Sequence, residues 1–394
     1  MKKGFFCICF LVVMHPVFCQ DTGNDTSFTN FLLHRISQFQ ATKNSTILPG
    51  LFYSYISKIE KYSDEKLDEN MFYNGLISYT LRDIKSKLPE TAKKTTDSIL
   101  QIALPVFDKF KNTTGRNTFN FWRTDTTFEF PYTWWIKILR GNVTLPDDLD
   151  DTSLGLLALS APASTAEDIH MLMSNFINDS LHILRNGLSY FKNYPAYSTW
   201  FGKNFPVVMD ACVLTNVLSF VQEYDLKWNA ADSASLQLLL KIIHEKDYIK
   251  DPLQVTPYYG KPSIFLYNLA RLMSVKKIPE LENIKIDLIT EAAKELAQST
   301  NMMERIILST AILKWGYIPP KIDLPNRDEI KNTIEENDFS FFIGNIPAYL
   351  PPAIRNKLLD KNAGLFYHYC PAYNTVLLLE YLTLSNDAGQ YFQL

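Results

Sequence analysis

The sequence predicts an all-α protein, and specifically an (α/α)6 toroid of six inner and six outer helices. Three observations lead there. Six short segments are apolar nearly all round, at residues 71–81, 151–159, 211–221, 263–273, 303–314 and 373–384. Between them lie segments with a single apolar stripe, such as 99–110, 164–191, 233–243 and 284–296. No convincing run of alternating polar and apolar residues marks a strand. A helix with neighbours on every side can be apolar all round, whereas an outer helix buries one stripe. Two such kinds in alternation are what a closed double ring requires.

Taken in order, the chain opens with Lys2 and Lys3, then the apolar run from Phe5 to Met14. This is the pattern of a secretory signal peptide covering residues 1–19, with cleavage after Cys19. That run is too short to span a bilayer, and no later segment holds about 18 uncharged apolar residues. The mature chain is therefore expected to carry no transmembrane segment and to be secreted or periplasmic. Residues 20–67 are read as N-terminal helices packed on the toroid, and 68–394 as the toroid domain. Within the 99–110 segment, Pro105 is expected to interrupt or kink the helix. Ser164-Thr165-Ala166-Glu167 has capping-box spacing, and the stripe Ile169, Leu172, Met173, Phe176, Ile177 follows it at helical period. The inner starts are separated by about 40 to 80 residues, so no solenoid-type repeat is visible. Cys212 and Cys370 remain once the signal peptide is gone, and both are expected to be buried thiols.

Composition narrows the function. A net charge of −3 without a Lys/Arg stripe argues against nucleic acid as a partner. Aromatic content is 13%, with much of it in connecting segments that a core alone does not explain. Trp122, Trp134, Trp135, Tyr197, Trp200, Phe201, Tyr258, Tyr259, Phe366, Tyr367 and His368 lie in loops or near helix entries. They are candidates to line a cavity for a small-molecule ligand, an isoprenoid or a glycan.

The most informative stretch is Asp147-Asp148-Leu149-Asp150-Asp151-Thr152, between Pro146 and the apolar run 154–159. One aspartate suits an N-cap, and carboxylates in a first turn are favoured by the helix dipole. Capping does not call for four. The order Asp-x-Asp-Asp-Thr, from Asp148 to Thr152, resembles the acid motif of class II terpene cyclases of the squalene–hopene type. That resemblance implies an α/α toroid, a general acid at Asp150 with Asp148 and Asp151 beside it, and aromatic walls that steady carbocations. It implies no cofactor and no metal. The Gln-x-x-x-Gly-x-Trp repeats of that family are absent.

Other readings stay open. Asp147-Asp148-x-x-Asp151 also matches a DDxxD diphosphate motif, although Pro146 sets it at a helix start rather than inside a helix. Asp210, Cys212 and His368 resemble the zinc set of protein prenyltransferases, but they belong to the third and sixth inner helices. Secreted toroids also include polysaccharide lyases and glycoside hydrolases. There His368 would be the base, Arg123 would pair a substrate carboxylate, and Asp150 could work with Asp125 or Asp210. A non-enzymatic binder of glycan or lipid is the third class. Intact-mass measurement on protein from its native host is expected to show the chain starting near Gln20. A mature protein beginning at Met1 would refute export by this signal.

Overall fold

The computed structural model describes residues 26–62, 66–126, 145–179, 184, 186–202, 205–387 and 392–393. The expected signal peptide lies outside them, as do Trp134 and Trp135. The longer helices are α1 (Thr26–Gln38), α2 (Met71–Lys85), α3 (Glu90–Ala103), α4 (Leu149–Leu159), α5 (Ala163–Met173) and α6 (Ala211–Glu223). They continue with α7 (Ala230–Glu245), α8 (Pro262–Val275), α9 (Lys285–Gln298), α10 (Met302–Lys314), α11 (Pro352–Leu359) and α12 (Pro371–Asn386). All six apolar segments are helices, namely the even-numbered α2, α4, α6, α8, α10 and α12. Their burial matches their composition. Every residue of α4 from Leu149 to Ala158 is buried, and so is every residue of α6 from Ala211 to Val221.

These six pack in succession: α2 on α4, α4 on α6, α6 on α8, α8 on α10, α10 on α12, and α12 back on α2. The striped helices lie against them, α3 on α2, α7 on α6, and α9 on α8 and α10, while α1 packs on α12 and α3. Gly155 lets α4 be approached closely, because a Cβ there would sit 2.7 Å from the Met71 side chain and 3.0 Å from the Phe119 ring. Cys212 and Cys370 are both buried, unpaired thiols.

Helix starts follow local chemistry. Asn70, Asp148, Asp210 and Asn301 accept backbone N–H groups at the starts of α2, α4, α6 and α10, and Pro262 and Pro371 open α8 and α12. At Pro105 the chain leaves the α-helix and tightens to a 3-10 turn over Leu104–Lys109, as that proline predicts. The capping box expected at Ser164 does not form. Helix α5 starts at Ala163 behind Pro162 with no side-chain cap, and it ends at Met173, well short of residue 191. Beyond it the chain folds back: the Asn178 N–H donates to Ala196 O at 2.9 Å, and its amide donates to Tyr194 O at 3.1 Å.

The fold is not purely helical, which corrects the all-α expectation. Strands β1 (Ser54–Ser57), β2 (Lys66–Asp68), β4 (Phe342–Asn345) and β5 (Leu365–Tyr369) form an antiparallel sheet in the order β2-β1-β5-β4. Its register pairs Ser54 with Asp68, Tyr55 with Tyr369 and Phe342 with His368. The short strands β3 (Tyr317–Ile318) and β6 (Phe392–Gln393) pair in parallel. Part of the expected N-terminal helical region thus supplies β1 and β2. The loop expected around His368 is strand β5, buried along its length. A strand buried on both faces shows no alternation, and that hid it in the sequence.

The sheet is pinned to the helices by Asp68. Its carboxylate accepts from Trp122 Nε1 at 3.0 Å and from Asn70 Nδ2 at 2.8 Å, and it contacts His368 Nδ1 at 3.1 Å. All of this is buried. Replacing Asp68 with Ala strands these partners, and we expect a loss of about 3 to 5 kcal/mol in urea unfolding. A loss under about 1 kcal/mol would mean that the cluster does not hold the sheet.

Candidate active site

The aspartate cluster sits where α4 begins, and its approach is fixed by main-chain bonds. Asp148 N donates to Phe119 O at 3.1 Å, Leu149 N to Thr199 O at 2.8 Å, and Phe201 N to Asp147 O at 3.0 Å. Two of the four carboxylates have plain structural work. Asp148 is the N-cap, with Oδ1 accepting from Asp151 N at 2.7 Å. Asp147 accepts from Arg116 Nη2 at 2.6 Å and from the Thr118 hydroxyl.

Asp150 and Asp151 are surplus to capping. They occupy the first turn of a helix with no solvent face, at 4% and 2% exposure. Asp150 Oδ1 accepts from Asn216 Nδ2, and Oδ2 accepts from the Tyr259 hydroxyl. Arg271 Nη2 donates in turn to Asn216 Oδ1, and to Asn268 Oδ1 at 2.7 Å. Asp150 on α4 is thereby tied through Asn216 on α6 to Arg271 on α8.

Burial governs the protonation of this cluster, since removing a carboxyl from water disfavours its charged form. It pushes Asp148 up from the ordinary 3.8 to about 8, with the Asp150 charge adding to the effect. Asp151 is raised well above the carboxyl range by burial and then by the Asp148 charge. Asp150 is raised by burial as well, against the opposing pull of Tyr259, Asn216 and Arg271. Asp210, the cap of α6, is also pushed up to about 8 by burial.

Asp148, Asp150, Asp151 and Thr199 line a cavity of about 20 Å³, closed by the aromatic side chains of Phe72, Phe121, Trp200, Tyr258 and Phe342. That is room for one water-sized group. Trp200 Nε1 donates to the Tyr258 hydroxyl at 3.0 Å, which lies 2.8 Å from the Tyr349 hydroxyl. Tyr258 N donates to Asp210 Oδ2 at 2.8 Å, so the next helix entry braces the wall. A larger groove of about 230 Å³ lies elsewhere, beside Trp228, Leu236 and Pro279, and holds none of the expected residues.

Of the residues expected in the site, Asp148, Asp150, Asp151, Trp200, Tyr258 and Tyr259 come together. Trp122 and His368 instead hold Asp68, with the His368 ring edge-on to Phe121 and Phe342 at 5.6 and 5.1 Å. Tyr197 lies apart, its hydroxyl donating to Asp232 Oδ1 at 2.8 Å where α5 meets α7. Tyr367 packs with Ile343, Leu365 and Tyr369 in a separate apolar cluster on the sheet. Phe201 is fully buried against Phe176, and Phe366 is buried within β5. Arg123 is committed to Asp125 and Glu69. The sequence reading passed over Phe72, Phe121, Thr199, Asn216, Arg271, Phe342 and Tyr349. Asn216 and Arg271 carried a usable signal, as polar residues inside nearly all-apolar helices.

Among the described residues, no group of three or more His, Cys, Asp or Glu is placed to hold a metal ion. Asp210 and Cys212 at the start of α6 do not converge with His368 in such a group. No family model, curated protein or solved structure matches the chain.

The raised carboxyls fix how stability responds to pH. Between about 4 and 8 the folded chain keeps protons that the unfolded chain has released, so folding is favoured by acid. The stability from Asp148, which titrates together with Asp151, is fully present below its ordinary value of 3.8 and is lost as pH rises through about 8. Urea unfolding is expected to show stability falling from pH 5 to 8, by up to about 1.4 kcal/mol per pH unit for each such carboxyl. Asp148→Asn keeps the cap and is expected to flatten part of that slope. A rise in stability over the same range would show carboxylates that are ionised and paired.

Proposed function

We propose that the protein is an enzyme on an (α/α)6 toroid. It starts its reaction by protonating an apolar small molecule, an isoprenoid-like alkene or epoxide, with a buried carboxylic acid of the Asp148–Asp150–Asp151 cluster. One observation carries this reading: three carboxyls whose charged form burial disfavours share a cavity lined otherwise by Thr199 and aromatic rings. A neutral carboxyl is an effective acid when its site also stabilises the conjugate base. The start of α4 and the donors Asn216 and Tyr259 supply that stabilisation. A cation formed on the substrate would meet ring faces. The toroid reading is supported by the succession of packed helices that returns from α12 to α2. The cavity admits only a water-sized group, so a substrate must displace wall side chains to reach the acids. We also read the protein as exported, on the strength of its N-terminal sequence.

The carbohydrate readings draw less support. His368 is buried and bound to Asp68, and Arg123 already has two carboxylate partners. Neither is free to serve a uronate substrate.

Linear terpenoid polyenes and their terminal epoxides are the substrates to test, with products followed by gas chromatography and mass spectrometry. Products of unchanged mass and fewer double bonds are expected. Asp151→Asn is expected to slow turnover by at least about 100-fold with the melting temperature within a few degrees of the parent, and Asp150→Asn to slow it as much while lowering the melting temperature, because Arg271 loses its compensating charge. Folded protein that leaves both substrate classes unchanged sinks the reading.

A further inference from the structure

Hydrogen bonding separates the members of the aspartate cluster. Both oxygens of Asp150 are taken, by the Asn216 amide and the Tyr259 hydroxyl, and Arg271 steadies Asn216 from behind. Donors on both oxygens work against burial and favour the ionised form here over that of its two neighbours. Asp148 and Asp151 are placed differently. Asp148 Oδ1 serves as the cap, but Asp148 Oδ2 and Asp151 Oδ1 are buried with no partner. Thr199 Oγ1, which lines the same cavity, is also buried without one. Asp151 N donates to Asp148 Oδ1 at 2.7 Å and both residues line the same small cavity, so the two carboxyls sit side by side. Two ionised carboxylates so close in a buried site repel each other strongly, and one proton between them relieves that repulsion in the resting protein.

We infer that the Asp148–Asp151 pair shares one proton at neutral pH and is the proton source, with Asp151 presenting it to the cavity and Asp150 standing by as the fixed anion. This rests on the general-acid reading proposed above, and it moves the donor one residue along from Asp150. In the step, the Asp151 O–H bond breaks as the substrate's π electron pair forms a new C–H bond. Two carboxylates remain at the pair, and a carbocation faces Asp150. The proton released when the carbocation collapses to an alkene returns to the pair. The charged and titratable groups around the pair are Asp147 with its partner Arg116, Asp150, Asp210 at the start of α6, Tyr258, Tyr349, and Arg271 through Asn216. Arg116 is paired with Asp147, and Arg271 donates only to the neutral amides of Asn216 and Asn268 on the far side of Asp150, so neither bonds the pair.

Infrared difference spectroscopy on the full mature chain at pH 7 tests this, with circular dichroism to check folding. Subtracting the Asp151→Asn spectrum from the parent is expected to reveal the loss of one neutral carboxyl C=O band. Subtracting Asp150→Asn is expected to reveal the loss of an ionised carboxylate band instead. If Asp150→Asn removes a neutral carboxyl band, the proton resides on Asp150 and the inference is overturned. That arm decides alone should Asp151→Asn fail to fold. The spectra report proton positions whether or not a substrate is turned over. A wrong assignment would leave general-acid catalysis by Asp150 standing. Correct bands with no turnover of polyenes or epoxides would remove the catalytic reading and leave the proton-sharing pair.

Discussion

Four carboxyl groups enter the protein interior at one helix start, and their charge must be absorbed without water. Each is handled by a different means. Asp147 takes an ion pair with Arg116, Asp148 takes a backbone N–H, and Asp150 takes two neutral donors backed by Arg271. Asp151 Oδ1 is buried without a partner, and burial drives the group towards its protonated form. The Asp150–Asn216–Arg271 link matters most, because it joins α4, α6 and α8 and gives a buried guanidinium its compensating charge. Removing a charge from water costs several kcal/mol unless its partner and hydrogen bonds are supplied. Arg271 also lies over the rings of Tyr79 and Tyr267 at 5.7 and 5.8 Å, which adds cation–π attraction. The interior between the six apolar helices is thus polar at chosen points, and those points connect.

The sheet extends this constraint to the cavity wall. Phe342 begins β4 and closes the cavity beside Phe121, with their rings 5.0 Å apart. Behind both stands His368, held by Asp68, which also holds Trp122 and Asn70 at the entry to α2. A second buried carboxylate therefore positions the aromatic side of a cavity whose acidic side is built from α4. The two halves come from distant parts of the chain, so neither is local. That arrangement suits a site in which ring positions relative to the acids matter.

How much of this was legible in the sequence depended on residue environment. The six apolar helices could be read because burial on every side leaves a composition that no amphipathic helix shares. Asp148 was legible as a cap and the cluster as excessive, from charge alone. The strands were not legible: β1 and β5 are four and five residues long and buried but for the partly exposed Tyr55, so neither length nor alternation marked them. His368 misled for the same reason, since Phe366-Tyr367-His368-Tyr369 has the composition of an aromatic loop. Tyr197 misled because a phenol near a helix entry also serves to bind a neighbouring helix, as it does at Asp232. Asn216 and Arg271 were missed because their meaning lies in which helices face each other, and that is a tertiary fact.

The other helix starts provide an internal control on the aspartates. Helix α2 is buried continuously from Met71 to Leu81, much as α4 is, yet a single neutral asparagine caps it, Asn70 bonding Tyr73 N; the half-buried start of α10 is likewise capped by Asn301, bonding Met303 N. Helices α8 and α12 start on proline with no side-chain cap at all. Helix α6 uses one carboxylate, Asp210, and spends its second oxygen on Tyr258 N. Nothing in forming an apolar helix here therefore asks for two further acids in its first turn. The helix dipole does favour anions at that place, but by no more than about 2 kcal/mol, while burying a carboxylate costs several. Asp150 and Asp151 are a net burden on folding in a chain that caps its other buried helices more cheaply. Such a burden is expected at a functional site, where strongly perturbed carboxyls gather around a cavity.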